Sequence, residues 1–389
     1  MKLSASILHR SWARAGFYLN LPELMRILAF RQRRRAFWSR YWQNAARHAG
    51  ATCHPLERGY IRLERDGKAC IVRDGEVPLD SHLMLDMMGD KAICNGLLSE
   101  LGAPVVPHAV FSIDRTEIAA RFLEQAQAPV VVKPASGTGG GRGVTTGISD
   151  LPALRRAARY AARYDDRLIV EREITGRSYR LLFLNGHFID AILREPPVVV
   201  GDGRHSIRQL VRMENTGRLT DETFRALSPI QMNPDFRNTL RKQRLSPRTV
   251  PQQDSEVVIK GAINENAAAR NHNVTDSVHP RTIALCASLV TSIGVEFAGV
   301  DILCDDIALP LCEQQGFVTE INTTPGLHHH LLVSPGSKVT PVDRILLDYM
   351  FSSGRGCMVL AAAEPEAAGK TAARGRMEEI RREEPESVS

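Results

Sequence analysis

What the 389-residue sequence lacks already narrows the classes it can belong to. No run approaches the roughly 18 consecutive apolar residues of a membrane span, so no segment reads as crossing a bilayer. The opening MKLSASILHRSWARAG has too short an apolar stretch, broken by arginines, to read as a secretory signal. A cytoplasmic location is therefore expected. The seven cysteines, at 53, 70, 94, 286, 304, 312 and 357, are odd in number and contain no C-x-x-C pair. This argues against a disulfide framework and reads as reduced, packed thiols, and nothing marks a base beside any of them for nucleophilic work. Internal repeats are also missing.

Acidic residues are nearly absent from one segment. Positions 1 to 50 hold ten Lys and Arg against a single acid, Glu23, whereas the other 339 residues carry a net charge of −3. The overall +6 therefore belongs to the N-terminus, which also holds all three tryptophans, Trp12, Trp38 and Trp42. A basic helix with interleaved aromatics can meet nucleic acid or an anionic membrane surface. The competing reading is packing or subunit contact: Phe37, Trp38, Tyr41, Trp42 and Ala45 recur at helical spacing, which docks the helix on the body and leaves the arginines in water. Docking is the better supported, nucleic acid is not expected as a partner, and a homo-oligomer stays open.

What is present reads as a mixed α/β chain: hydrophobic residues make up 43% and charged residues 24%. The expected organisation is a basic aromatic helical segment over 1–35, a small α/β domain over 36–110, a central unit over 111–200 containing the glycine-rich loop, a C-terminal unit over 201–353, and a flexible Ala/Glu/Arg-rich tail over 354–389. The helix in GDKAICNGLLSELGAPVVPHAVFSI should end at Gly102, Asn185-Gly186 should turn a hairpin, and helices are expected over 281–293 and near 341–352. The polar stretch from 201 to 280 resists placement.

Three separated features carry chemistry. In VVVKPASGTGGGRGV, the strand lysine Lys133 precedes a loop from Ser136 to Gly143 whose glycines, Gly137, Gly139, Gly140, Gly141 and Gly143, let backbone N–H groups close on phosphates. The loop lacks the G-K-[ST] ending of a P-loop, and Arg142 breaks a strict G-x-G-x-x-G. A plain surface hairpin is the competing reading of this loop. In FAGVDIL and VTEINTTPG, Asp301, Glu320 and Asn322 are hard oxygen donors, and Glu320 and Asn322, two apart on a strand, share a face. If the strand bearing Asp301 pairs beside them, the set suits a nucleotide-bound Mg²⁺, with Mn²⁺ as an alternative; ordinary strand-end acids are the other reading. In LIVEREITGRSYRLLFLNGHFIDAILRE, the strand ending Glu171, Arg172, Glu173, Ile174 offers a backbone edge to adenine. Arg180 and Arg194 on following strands can hold a phosphoryl group or carboxylate, or remain solvated.

With these segments and the run from NVTDSVHPRT to TEINTTPGLHHH, the sequence resembles the ATP-grasp superfamily, and more narrowly the ATP-grasp half of cyanophycin synthetase, over residues 80 to 352. The resemblance implies an α/β (α+β) ATP-grasp fold of three subdomains with ATP between two mainly antiparallel sheets. It also implies an ATP-dependent carboxylate–amine ligase acting on small-molecule or peptide carboxylates and amines. By position, Lys91 and Lys133 would hold phosphates, Ser136 to Gly143 would be the mobile loop, Glu171 to Ile174 the adenine hinge, and Asp301, Glu320 and Asn322 the Mg²⁺ ligands. Arg180 and Arg194 would face an acyl phosphate, with Lys133 among the catalytic groups. Departures are Ser178 where relatives place an acid for the ribose, a glycine loop one residue longer, and His328 in place of a basic residue after Gly326, although His330 fits the pattern. Gly326, His328 and His330 would touch substrate or pack; a transition-metal site is disfavoured because adjacent side chains diverge. The Mur-ligase-like half is absent, so a single amide-forming step is expected rather than polymer extension. Phosphoryl transfer without amide formation, or an idle scaffold binding a polyanion through the N-terminus, are the competing functions.

Overall fold

The computed structural model describes residues 21–137, 142–220, 229–261, 271–334 and 336–360. Gly139, Gly140 and Gly141 of the glycine loop, the first 20 residues of the basic segment and the tail from 361 lie outside the described residues. Helix α1 (Leu21–His48) runs without a break through the boundary expected at 35 and packs on the meander β1 (Thr52–Pro55), β2 (Tyr60–Arg65) and β3 (Lys68–Arg73). Phe37, Trp38, Tyr41, Trp42, Ala45 and Ala46 form its buried stripe, and Trp42 Nε1 donates to the Asp74 carbonyl at 2.7 Å. The arginines at 31, 35 and 40 are exposed, which is the amphipathic docking the spacing predicts.

Two short helices follow, α2 (His82–Gly89) and α3 (Lys91–Glu100). Asp90 caps α3 by accepting from the backbone of Ala92 and Ile93, and Gly102 ends the turn with φ +76°. The first cavity wall is a four-stranded antiparallel sheet of β4 (His108–Ser112), β5 (Val130–Pro134), β6 (Thr145–Ile148) and β7 (Arg167–Arg172), in the order β4-β7-β5-β6. Helices α4 (Thr116–Ala126) and α5 (Leu151–Ala161) cover its outer face and close a core around Val132, Ile148, Leu154 and Leu168.

The hairpin β8 (Arg177–Leu184) and β9 (His187–Arg194) turns at Asn185 and Gly186, both with positive φ. It belongs to the second sheet, so the sheet boundary falls after β7 and not at 200. The reason is pairing: β8 finds its other neighbour more than 110 residues later. An insertion of β10 (Val198–Val200), α6 (Ile207–Thr220), α7 (Pro234–Lys242) and β11 (Glu256–Val258) has its own small core of Val199, Ile207, Val211, Phe236 and Leu240. The chain returns with β12 (Asn271–Asn273), α8 (Pro280–Ile293), β13 (Phe297–Cys304) and β14 (Phe317–Asn322), completing an antiparallel sheet in the order β12-β9-β8-β13-β14. Along β8 the alternation is strict. Tyr179, Leu181 and Phe183 enter the core under α8, while Leu182 and Leu184 on the other face join α1 in a second core, and Ser178 and Arg180 on that face reach the cavity. The short α9 (His328–Leu331) and α10 (Val342–Ser353) lead to β15 (Cys357–Val359), which pairs with β3. The tail expected from 354 therefore starts as an ordered edge strand, because β3 still has open backbone groups there. Among the described residues no helix is long and apolar enough to cross a membrane.

Candidate active site between the two sheets

A cavity of about 490 Å³ lies between the sheets. Its apolar lining comes from Leu85 and Met88 of α2, Val106, Val131 and Val144, and Leu303 of β13. Its rim is formed by Arg172, Glu173, Ile174 and Gly176, where β7 ends and the backbone turns into β8. Apolar side chains beside a strand-end backbone edge suit a purine base. The apolar lining from α2 escaped the sequence reading, since nothing in HLMLDMMG marks Leu85 and Met88 for a site.

At the polar end, charges converge from four elements. Lys91 is the first residue of α3, fixed by its backbone N–H to the Ala135 carbonyl at 2.8 Å and by the Asp90 cap, which Arg167 clasps at 2.6 Å. Its Nζ donates to Glu320 Oε1 at 3.1 Å, and that carboxylate, outweighing burial, raises the lysine pKa above its ordinary value. Lys133 and Glu171 sit diagonally on β5 and β7 and pair at 2.7 Å. Each lysine thus pairs, in a partly buried position, with a carboxylate that polyphosphate oxygens can compete with.

Across the second sheet Arg180, Asp301 and Glu320 stand abreast on β8, β13 and β14, the register the metal reading requires. The side chains nevertheless divide. Asp301 is 1% exposed, with its carboxylate taken by Arg180 at 2.7 and 2.8 Å and by Arg194 at 3.2 Å. Burial pushes this carboxyl up, but the two guanidiniums overcome burial and hold it below the usual range. Burial brings Arg194 down to about 10, Asp301 opposes that fall and Arg180 adds to it. Arg180 lines the cavity and Arg194 does not; Arg194 lies behind it, donating to the Ser178 hydroxyl at 2.9 Å. Gly299 makes this packing feasible, because a Cβ there would lie 2.7 Å from Pro325 and 3.3 Å from Arg180.

On β14 and the turn that follows it, the oxygens facing the cavity are thus those of Glu320 and Asn322, joined by Thr319, Thr323 and Thr324. A carboxylate and an amide carbonyl open to a space large enough for phosphates and water fit Mg²⁺, which takes few protein ligands. Asp301 is not presented with them: its oxygens are committed to guanidinium, and Asn322 Nδ2 approaches it at 3.5 Å. Among the described residues no group of three His, Cys, Asp or Glu forms a metal cluster.

Other expected residues sit elsewhere. Gly137 and Ser178 line the cavity, but Ser136 turns away, its N–H and Oγ both donating to Asp165 at 2.7 and 2.8 Å. Gly143, at φ +80°, packs against Pro134 and Tyr164. The histidine run is buried behind the arginines. His328 meets Trp38 edge-on at 6.0 Å, and burial, with Arg34 and Arg180, brings its pKa down to about 3. His330 shares a 2.6 Å hydrogen bond with Asp190, yet burial still lowers its pKa. Gly326 folds directly over His328 and His329. These three positions pack beneath the site and are not part of the cavity lining.

Residues 97–190 match the family described as D-ala D-ala ligase C-terminus. The crystal structure of a bifunctional glutathione synthetase from Pasteurella multocida superposes with a TM-score of 0.50 at 24% identity, over 78% of this chain and 42% of that one. The chain has an ATP-grasp fold. Among curated relatives of this ATP-grasp chain, cyanophycin synthetase of Trichormus variabilis is 29% identical over 256 residues, covering 65% of this chain and 28% of the relative. The glutathione biosynthesis bifunctional protein of Streptococcus agalactiae is 26% identical over 289 residues, covering 72% of this chain and 38% of the relative. The chain thus spans well under half the length of these relatives.

Proposed function

We propose that this ATP-grasp chain is a carboxylate–amine ligase that uses Mg²⁺ and ATP, forms an amide or peptide bond through an acyl phosphate, and releases ADP and phosphate. One observation carries the reading: Lys91, Lys133 and Arg180 line the same cavity as Glu320 and Asn322, beside an apolar lining. That is the charge pattern of a site for a base-capped polyphosphate with a divalent ion. The relatives with names that imply amide formation, a cyanophycin synthetase and a glutathione biosynthesis protein, support the same class.

In this reading the substrate carboxylate attacks the γ-phosphorus, and ADP departs. An amine then adds to the carbonyl carbon of the acyl phosphate, loses its proton, and expels phosphate. The protein contributes position and charge: Lys91 and Lys133 hold the phosphates, and Arg180 faces the transferring group with Arg194 behind it. Bound Mg²⁺ would supply charge neutralisation between Glu320, Asn322 and the phosphate oxygens. The natural partners are an amino acid, a peptide end or a natural-product intermediate bearing the carboxylate, and an amine. Two sheets closing on the slot would keep water from the acyl phosphate.

Hydroxylamine tests the class directly. With an amino-acid or peptide carboxylate, ATP and Mg²⁺, the protein should yield a hydroxamate together with ADP, and Glu320→Ala should lose both. ADP formation on a carboxylate without hydroxamate would point to phosphoryl transfer as the whole reaction. A Glu320→Ala protein as active as the wild type would contradict the metal assignment.

A further inference from the structure

Helix α7 supplies nothing that the proposed chemistry uses, yet one of its faces is bonded to the wall of the cavity. Asp235, Asn238 and Lys242 stand at i, i+3 and i+7, a single stripe of the helix. Asp235, fully buried, accepts from Thr146 Oγ1 at 2.7 Å and from the Gly261 N–H at 3.0 Å, and both Thr146 and Gly261 line the cavity. Asn238 Nδ2 donates to the Thr146 carbonyl at 3.1 Å. At the end of the stripe Lys242 Nζ donates to Glu173 Oε1 at 2.5 Å.

Glu173 is the residue that gives this contact its consequence. It lines the cavity at the strand end proposed to read the base, and its other oxygen, Oε2, accepts the Gly147 N–H at 2.9 Å. The lysine lies so close over Gly147 (φ +69°) that a Cβ there would come within 2.3 Å of Lys242 Cε. A carboxylate facing a slot for a polyanion repels its ligand unless it is neutralised. Here the neutralising charge comes from outside the slot, because Lys242 is not among the residues lining it.

On the nucleotide reading above, we propose that Lys242 is a positioning residue for the nucleotide: it fixes and neutralises Glu173, and with Asp235 and Asn238 it makes helix α7 a brace of the nucleotide site. The side chain of Lys242 is 48% exposed, so replacing it leaves the cores intact.

Calorimetric titration of the full chain with Mg·ATP provides the test, using Lys242→Met, Lys242→Arg and Glu173→Gln. Lys242→Met should weaken Mg·ATP binding roughly tenfold or more, the scale of a lost charge-assisted hydrogen bond, without moving the melting temperature of the ligand-free protein. Lys242→Arg should recover most of the loss. The pair Lys242→Met with Glu173→Gln should weaken binding no more than the worse single change, as coupled residues do. Unchanged affinity in Lys242→Met, or a lower melting temperature with unchanged affinity, would overturn the proposal. A wild-type protein that takes up no Mg·ATP would instead overturn the nucleotide reading on which it rests.

Discussion

At the scale of single residues, Asp301 carries the heaviest electrostatic burden. Two guanidiniums buried at 7% and 3% exposure depend on one carboxylate, and a buried pair that loses a partner costs more than the pair itself contributes. Asp301→Asn should therefore destabilise the protein by about 3–5 kcal/mol, read as a lowered midpoint in urea unfolding, besides its effect on turnover. The pH dependence has a definite sign. The folded carboxyl is held below its ordinary value, so its stabilisation is present above the unfolded value near ~3.9 and is lost as pH falls through the lower folded one. The wild type should lose stability steeply below about pH 4, and Asp301→Asn should lack that portion of the slope. A mutant with an unchanged midpoint and an unchanged acid limb would mean that the two arginines are satisfied by other groups. Glu320 differs in kind. It is partly exposed to the cavity and faces one lysine, so its loss should fall on chemistry far more than on folding.

At the scale of elements, helix α1 shows why a basic segment need not be a binding arm. Its aromatic stripe closes the core shared by β8, α10 and the β1–β3 meander, and Trp42 is fully buried. Trp42→Ala should cost about 3–5 kcal/mol by cavity formation, whereas Arg35→Ala on the exposed face should stay within about 0.5 kcal/mol, both measurable by thermal or denaturant unfolding. Equal effects would mean that the helix is held by its charges. Removing residues 1 to 48 should, for the same reason, uncover that core and leave an insoluble remainder. This contrast also shows what could be read from the sequence. Local signals were legible: the 3.6-residue spacing of Trp38, Tyr41, Trp42 and Ala45, the Asn185-Gly186 turn, and the Gly102 stop after α3, at φ +76°. Strand alternation gave Glu320 and Asn322 a common face, while only the resemblance brought Lys133 and Glu171 to the same site; all four line the cavity. Contacts between distant polar residues were not legible. The Thr146–Asp235 bond spans 89 residues, and nothing local in PDFRNTLRK distinguishes a helix that braces a cavity from one that faces water. The histidine run was ambiguous for a similar reason, since burial of His328 depends on Trp38, far away in the chain.

For the whole molecule, the cavity is a seam: its two walls belong to different sheets, joined near it by the Val318 N–H bonding to the Pro104 carbonyl at 2.8 Å. A ligand that contacts both walls adds its binding free energy to the stability of the assembled form, about 2.7 kcal/mol at a concentration a hundred times Kd. The charge pattern predicts which ligand does so. Lys91 and Lys133 attract phosphates, but each is already paired, with Glu320 and Glu171, and phosphates entering without a cation meet those carboxylates at close range. A divalent ion held by Glu320 and Asn322 would offset that repulsion. Thermal unfolding followed with Mg·ATP, with ATP plus EDTA, and with MgCl₂ alone separates the terms. Mg·ATP should raise the melting temperature by several degrees, ATP in EDTA by a clearly smaller amount, and Mg²⁺ alone hardly at all, since two cavity-facing oxygen donors without phosphates make a weak site. Equal shifts with and without the metal would show that the lysines and Arg180 suffice for the polyphosphate, and that Glu320 and Asn322 face the cavity for another reason.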